Sequence, residues 1–259
     1  MPIAPPVVLT FAATDATSGA GLQADVLTIA ALDCHPLSVV TALTAQDTIG
    51  VARMQPVDSA LVSEQARCVL ADVAVAAFKA GVLGSAENTR AVSEIIAAHA
   101  GVPLVVDPVL ASGRGDTLAD ESAVRALREA MLPHTTVLTP NSLEARRLAG
   151  AHELRDCART LVERGCQYVL ITGTHEAGAE VVNTLYDASG VVREDRWPRL
   201  PREYHGSGCT LASAIAAYLA RGLDALAAVR EAQQFTWRAL EAGFAVGRGQ
   251  LLPQRFIAR

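Results

Sequence analysis

Short apolar runs alternate with helix-patterned stretches along almost the whole chain, and this alternation restricts the fold more than any single motif. The runs cover residues 7–13, 37–43, 77–81, 102–109, 137–139 and 168–171, and they are rich in Val, Leu, Ile and Phe. A strand covered on both faces reads as a continuous apolar run, because neither side of its pleat meets water. Helical patterning is expected over 22–32, 59–75, 86–98, 121–131, 156–164, 211–220 and 225–243. Strand followed by helix, repeated, specifies a mainly parallel sheet between two helical layers, an α/β sandwich. Residues 181–186 and 191–197 flank Asp187-Ala188-Ser189-Gly190 and are expected to form a hairpin.

Length and charge narrow the function classes. The chain has 259 residues, a size expected to form one domain over 1–259, with 51% hydrophobic residues to supply its core. A formal charge of −5, with no basic run, argues against a nucleic-acid partner. Cys34, Cys68, Cys157, Cys166 and Cys209 are scattered and odd in number, which disfavours both a zinc site and a disulfide framework. The opening MPIAPPVVLTFAAT has no basic segment ahead of its apolar residues, so it reads as a first strand and not as a signal peptide. No membrane partner is expected, and the expected compartment is the cytoplasm.

Polar residues collect where the strands end. Tyr204-His205-Gly206-Ser207-Gly208-Cys209-Thr210-Leu211 runs directly into the alanine-rich stretch 211–220. Glycines at a helix start leave backbone N–H groups bare, and the helix dipole adds partial positive charge there, which suits a phosphate. A plain loop-to-helix junction with a buried cysteine is the alternative. In the first case the helix end would lower the Cys209 thiol pKa. Other clusters are Asp15–Gly21, Gln46, Asp107, Asn141 with Glu144, and Thr172–His175. In open α/β sheets ligands bind at that carboxyl edge. Gln46, just past a strand end, is either a reader of a ligand edge or a solvated loop residue. Asp107 ends a buried strand, where a charge needs a partner or a metal. Glu144 serves either a site or a helix cap.

Taken together, these segments resemble the hydroxymethylpyrimidine/phosphomethylpyrimidine kinases of thiamine biosynthesis, within the ribokinase-like superfamily. The resemblance is carried, in order, by Ser18-Gly19-Ala20-Gly21-Leu22-Gln23-Ala24-Asp25, Thr41-Ala42-Leu43-Thr44-Ala45-Gln46-Asp47-Thr48, Lys79-Ala80-Gly81-Val82-Leu83, Val106-Asp107-Pro108-Val109, Gly115-Asp116, Thr139-Pro140-Asn141 with Glu144-Ala145, and His205-Gly206-Ser207-Gly208-Cys209-Thr210-Leu211. It spans about residues 7 to 222 and implies a ribokinase-like three-layer αβα sandwich. It also implies a kinase that uses ATP and Mg2+, with a small-molecule substrate and a homodimeric habit. Gly206, Ser207, Gly208 and Cys209 would form the catalytic turn, with amides at the transferred phosphoryl group and Cys209 beside the substrate oxygen. Gln46 would pair with the aminopyrimidine, the backbone near Ala13 and Val109 would close round the ring, and Asp25 would order the loop that carries it. Asn141, Thr172, Gly173 and Arg114 would serve ATP. Asp107 and Glu144 would hold magnesium.

Four departures from the family pattern bear on these roles, one being that the loop around Gly113-Arg114 lacks the family's Lys. Ala13 stands where the family has Gly, so the ring pocket is expected to be tighter. Thr172 stands where the family has Lys, which removes a cation beside the nucleotide phosphates, and Arg114 is expected to supply one in its place. The tail Gly247-Arg248-Gly249-Gln250-Leu251-Leu252-Pro253 matches the family's closing pattern only loosely. Two other readings stand beside the pyrimidine kinase. One is a pyridoxal or pyridoxine kinase on the same scaffold. The other is a degenerate homologue that binds the pyrimidine with little catalysis.

Overall fold

The structure, a computed structural model, describes residues 4–111, 115 and 118–257. Among the described residues nine strands form one sheet in the order β3-β2-β1-β4-β5-β6-β7-β8-β9. The strands are β1 (Val7–Ala13), β2 (His35–Gln46), β3 (Val51–Pro56), β4 (Ala77–Ala80), β5 (Leu104–Val106), β6 (Val137–Leu138), β7 (Tyr168–Thr172), β8 (Glu180–Asp187) and β9 (Gly190–Pro198). Pairing from β2 through β1, β4, β5 and β6 to β7 is parallel, as the alternating pattern predicts. Antiparallel hairpins close both ends, β2–β3 at one and β7–β8–β9 at the other.

The helices are α1 (Gly21–Ala31), α2 (Ser59–Asp72), α3 (Ala86–Ala97), α4 (Glu121–Ala126), α5 (Ser142–Ala149), α6 (Leu154–Glu163), α7 (Ser207–Ala220) and α8 (Ala225–Glu241). Strand side chains alternate between two cores, as a period of two requires. Leu9, Phe11, Phe78, Leu104, Val106, Leu138, Val169 and Ile171 face α2 to α6. Val8, Ala77, Val105, Val137 and Leu170 face α1, α7 and α8. The result is the three-layer αβα sandwich. Helix α7 is buried from Cys209 through Ala217, and its small residues let it lie close against the strands.

Two expectations are corrected. The stretch 121–131 is not one regular helix, because α4 passes into a π-turn at Leu127–Met131 and a 3-10 turn at Leu132–His134 that contains Pro133. The second strand does not end at residue 43 and is not followed by a loop. Ala13, the last residue of β1, pairs with Ala42, and β2 then continues to Gln46 against β3. This hairpin overhangs the carboxyl edge. Its tip is tied down by the amides of Gly249 and Gln250, which donate to the Thr48 hydroxyl and carbonyl at 3.0 and 2.9 Å. Strand β3 escapes sequence reading because Arg53, Gln55 and Pro56 give it a half-exposed edge pattern.

Candidate active site

The site is built where the 15–21 loop meets the turn before α7. Gly206 holds the left-handed conformation, with φ 77° and ψ 23°, as the residue capping α7. A Cβ there would lie 2.0 Å from the Gly19 carbonyl oxygen, so no larger residue fits. Among the described residues no side chain caps α7, and its first turn carries no acidic residue. The helix therefore presents uncapped amides at the carboxyl edge, where an anion would be stabilised. Gly208 is exposed there, Ser207 is half-buried and Cys209 is 9% exposed.

Asp107 stands directly over this turn. Its carboxylate oxygens lie 3.5 and 3.6 Å from where a Gly208 Cβ would sit. Burial pushes its pKa up to about 6, against the lowering effect of Lys79, and its Oδ2 is buried without a hydrogen-bond partner. Burial and the neighbouring Asp107 charge push Glu144 up to about 8. Two buried carboxylates with raised proton affinity, one with an orphaned oxygen, fit a cation between or beside them. Among the described residues no three His, Cys, Asp or Glu side chains gather into a metal cluster, so an ion here would complete its shell with water or phosphate oxygens. Glu144 also makes the capping box of α5, accepting from the Asn141 amide at 2.9 Å, and it accepts from the Leu110 amide at 3.3 Å.

The Cys209 thiol lies against Asp107. The expected lowering by the helix end is overturned, since burial pushes this thiol up to about 12. Desolvation of a thiolate outweighs the dipole and the nearby Lys79. Cys209 is a neutral hydrogen-bonding group at ordinary pH.

Behind the turn lies a charge pair whose role the sequence does not reveal. Asp25, expected to order the ring-carrying loop, is fully buried on α1. It accepts from Lys79 at 2.9 Å, Thr10 at 2.6 Å and Ser213 at 2.8 Å, which joins α1, β4, β1 and α7. Both of its carboxylate oxygens are taken up by these bonds. Burial alone would lower the Lys79 pKa, but Asp25, Cys209 and Asp107 raise it above the usual lysine value. A Cβ on Gly81 would come within 2.6 Å of the Lys79 nitrogen, so that glycine is the room for the ammonium.

The loop itself is bolted in place by Asp15, which no side-chain pattern singled out as its organiser. Its carboxylate accepts from the Thr17 and Ala20 amides at 2.8 and 2.7 Å and pairs with His205 Nε2 at 2.7 Å. Burial works against the Asp15 charge, yet the His205, Ala20 and Thr17 hydrogen bonds hold its pKa below the ordinary value. From the far end of the chain Arg255, 4% exposed, donates to the Thr210 hydroxyl and to the Ser18 and Gly19 carbonyls. Its position in the tail carries no sequence signal.

The remaining expected residues line the same edge. Gln46 is half-buried on the overhanging hairpin, Ala13 ends β1, and the Val109 amide donates to the Asp107 carbonyl at 2.9 Å. Asn141 caps α5 through its side chain, and its backbone bridges to Thr172 at the end of β7. Gly173 has no space for a side chain, as a Cβ would meet the Val182 carbonyl at 2.3 Å. Its amide donates to Asn183 Oδ1 at 3.2 Å. Arg114 and Asp116 lie outside the described residues.

A family model described as phosphomethylpyrimidine kinase matches residues 15–254, which includes the turn, both carboxylates and the hairpin. The chain belongs to this kinase family. A hydroxymethylpyrimidine/phosphomethylpyrimidine kinase of Streptomyces coelicolor is 42% identical over 257 residues, covering 96% of this chain and 93% of the relative. Among solved structures, the pyridoxal kinase of Staphylococcus aureus in complex with AMP-PCP and pyridoxal superposes with a TM-score of 0.88 at 28% identity, over 98% of this chain and 94% of that one. A phosphomethylpyrimidine kinase from Clostridium difficile gives a TM-score of 0.77 at 32% identity, over 89% of this chain and 97% of its own. Within this kinase family the Cys209 turn, Asp107 and Glu144 are thus brought together by the fold. Asp25 lies in the buried pair with Lys79, Gly173 packs against β8, and Asp15, His205 and Arg255 brace the 15–21 loop and the turn before α7.

Proposed function

We propose that this kinase transfers the terminal phosphoryl group of ATP to the hydroxymethyl oxygen of 4-amino-5-hydroxymethyl-2-methylpyrimidine, and then to the resulting monophosphate, in thiamine diphosphate biosynthesis. The observation that carries the proposal is the uncapped α7 turn, Gly206–Cys209, facing Asp107 at the sheet's carboxyl edge. Phosphoryl transfer is catalysed by positioning and by offsetting charge on the phosphate oxygens. The turn amides are aimed where that charge collects, and the Arg255 and His205 hydrogen bonds hold the turn and its neighbouring loop before the reaction. Asp107 and Glu144 would hold Mg2+, and when bound the ion offsets phosphate charge and orients the phosphoryl group. The neutral Cys209 thiol orients the attacking oxygen and does not abstract its proton outright. Gln46 reads the aminopyrimidine from the hairpin, and the backbone at Ala13 and Val109 closes round the ring. Asn141 and Thr172 serve the nucleotide side. The proposal includes a cytoplasmic homodimer, which light scattering of the purified protein would test.

Pyridoxal phosphorylation is the second reading, favoured by the closer superposition on the Staphylococcus aureus pyridoxal kinase. ATP turnover with hydroxymethylpyrimidine, its monophosphate and pyridoxal, measured side by side, separates the two. The proposal expects kcat/KM for the pyrimidines to exceed that for pyridoxal by about tenfold or more. The reverse order would replace it with the pyridoxal reading. No turnover of any of the three would leave the degenerate binder.

A further inference from the structure

The loop between β7 and β8 leaves the carboxyl edge beside Asn141 and carries no lysine, yet it is held in one shape from behind. Arg199, just past β9, spends its guanidinium on that loop's backbone. Nε donates to the Gly178 carbonyl at 2.8 Å and Nη1 to the Thr174 carbonyl at 2.8 Å. Nη2 donates to the carbonyls of Glu176 at 2.7 Å and Glu180 at 3.4 Å. The Arg199 amide adds a bond to the Ala179 carbonyl at 3.0 Å. Such a fan of donors from one planar group is available only to arginine.

The consequence lies on the opposite face. In a trans peptide unit the C=O and the following N–H point opposite ways, and the described residues contain no cis peptide. Carbonyls of Thr174 and Glu176 turned toward Arg199 therefore turn the amides of His175 and Ala177 away from it. Both residues are exposed, and neither amide donates a hydrogen bond among the described residues. A second tie keeps the loop beside α5. Arg146 pairs with Glu176 at 2.8 and 3.3 Å, and this pairing holds the Glu176 carboxyl down at about 2. The free amides thus sit on the segment that continues from Thr172, on the same edge as Asn141 and the α7 turn.

We infer that Arg199 is a positioning residue for the nucleotide: by collecting the carbonyls of the 174–180 loop it presents that loop's amide face to the ATP phosphates. Backbone N–H groups so arranged attract anions. They supply on the nucleotide side what the absent lysine at Thr172 does not. The inference rests on the proposed use of ATP, but not on the identity of the phosphorylated alcohol.

The test is calorimetric binding of Mg2+·ADP to the intact protein and to Arg199→Ala and Arg199→Lys, with hydroxymethylpyrimidine binding measured on the same samples. The expected result is ADP affinity weakened about tenfold or more in Arg199→Ala, with pyrimidine affinity within about twofold of the parent. In kinetics the KM for ATP rises while the KM for the pyrimidine holds. Arg199→Lys recovers only part of the loss, because an ammonium cannot span four carbonyls. ADP affinity unchanged in Arg199→Ala overturns the inference. So does equal loss of both ligands, which would mark a general structural role, and so does full rescue by lysine. A parent protein that binds ADP but phosphorylates no pyrimidine removes the proposed function and leaves this inference standing. A parent that binds no ADP removes both.

Discussion

Replacing Lys79 by methionine tests how the centre is supported. The substitution keeps the length and most of the volume of the side chain and removes only its charge and donors. Asp25 would keep the Thr10 and Ser213 hydrogen bonds but lose its cation, in a place where both partners are 0% exposed. Breaking a buried pair by deleting one member costs about 3–5 kcal/mol, because an uncompensated charge stays behind. Against a typical folding stability of about 5–15 kcal/mol, that is a third or more of the total. Asp25→Asn alone strands the ammonium instead and should cost a similar amount. The double variant Lys79→Met/Asp25→Asn leaves two neutral groups, so it should recover about 2 kcal/mol or more relative to the sum of the single losses. Urea unfolding followed by circular dichroism gives all four free energies. A Lys79→Met variant within about 1 kcal/mol of the parent would refute the reasoning. Simple additivity of the two changes would refute it equally, since the pair would then not be acting as a pair.

Gly206→Ala should destabilise by about 2–5 kcal/mol, combining an unfavourable left-handed backbone with a Cβ driven into the Gly19 carbonyl. Unfolding midpoints and Mg2+·ADP affinity should fall together, and an undisturbed variant would mean that the loop yields freely. Gln46→Leu should weaken the aminopyrimidine by about 1–3 kcal/mol through unpaired ring groups. Unchanged affinity in calorimetry takes Gln46 out of the site. Asp107 and Glu144, raised by burial to about 6 and about 8, hold protons in the folded state that the unfolded chain has already lost. Their contribution to stability is therefore lost as pH rises through those values, and Mg2+ should restore it. The thermal shift given by Mg2+ should grow from about pH 5 to about pH 9 and flatten in Asp107→Asn/Glu144→Gln. A shift independent of pH in the parent would count against these carboxylates as the metal ligands.

The alternation of buried apolar runs with helices is local information, and it determined the parallel centre of the sheet and the two helical layers. Periodicity shows which faces are apolar, and right-handed crossovers leave little choice of topology. The polar residues that follow each strand were legible for the same reason, because strand ends in such a sheet converge on one edge. The α7 turn could be read from its two glycines, while Asn141 and Glu144 carried both a cap and a site signal. Sequence could not decide between those, and the structure gives Glu144 the cap bonds together with the raised pKa that the neighbouring Asp107 charge helps produce.

What escaped depends on contacts between residues far apart in the chain. Lys79 and Asp25 look like one stray charge in a strand and one in a helix until α1 and β4 are laid side by side. The state of Cys209 is not legible in sequence, because a helix end is visible there, whereas the desolvation that outweighs it is created only when the sheet, α1 and α7 close over the thiol. Gln46 reads from sequence as lying past a strand end because β3 is an exposed edge strand whose pairing, and not its composition, makes it a strand. Arg255 and Arg199 carry no motif at all. Their guanidiniums matter because of the backbone carbonyls that folding brings to them, and backbone groups are the same in every sequence until the tertiary structure gives them a direction.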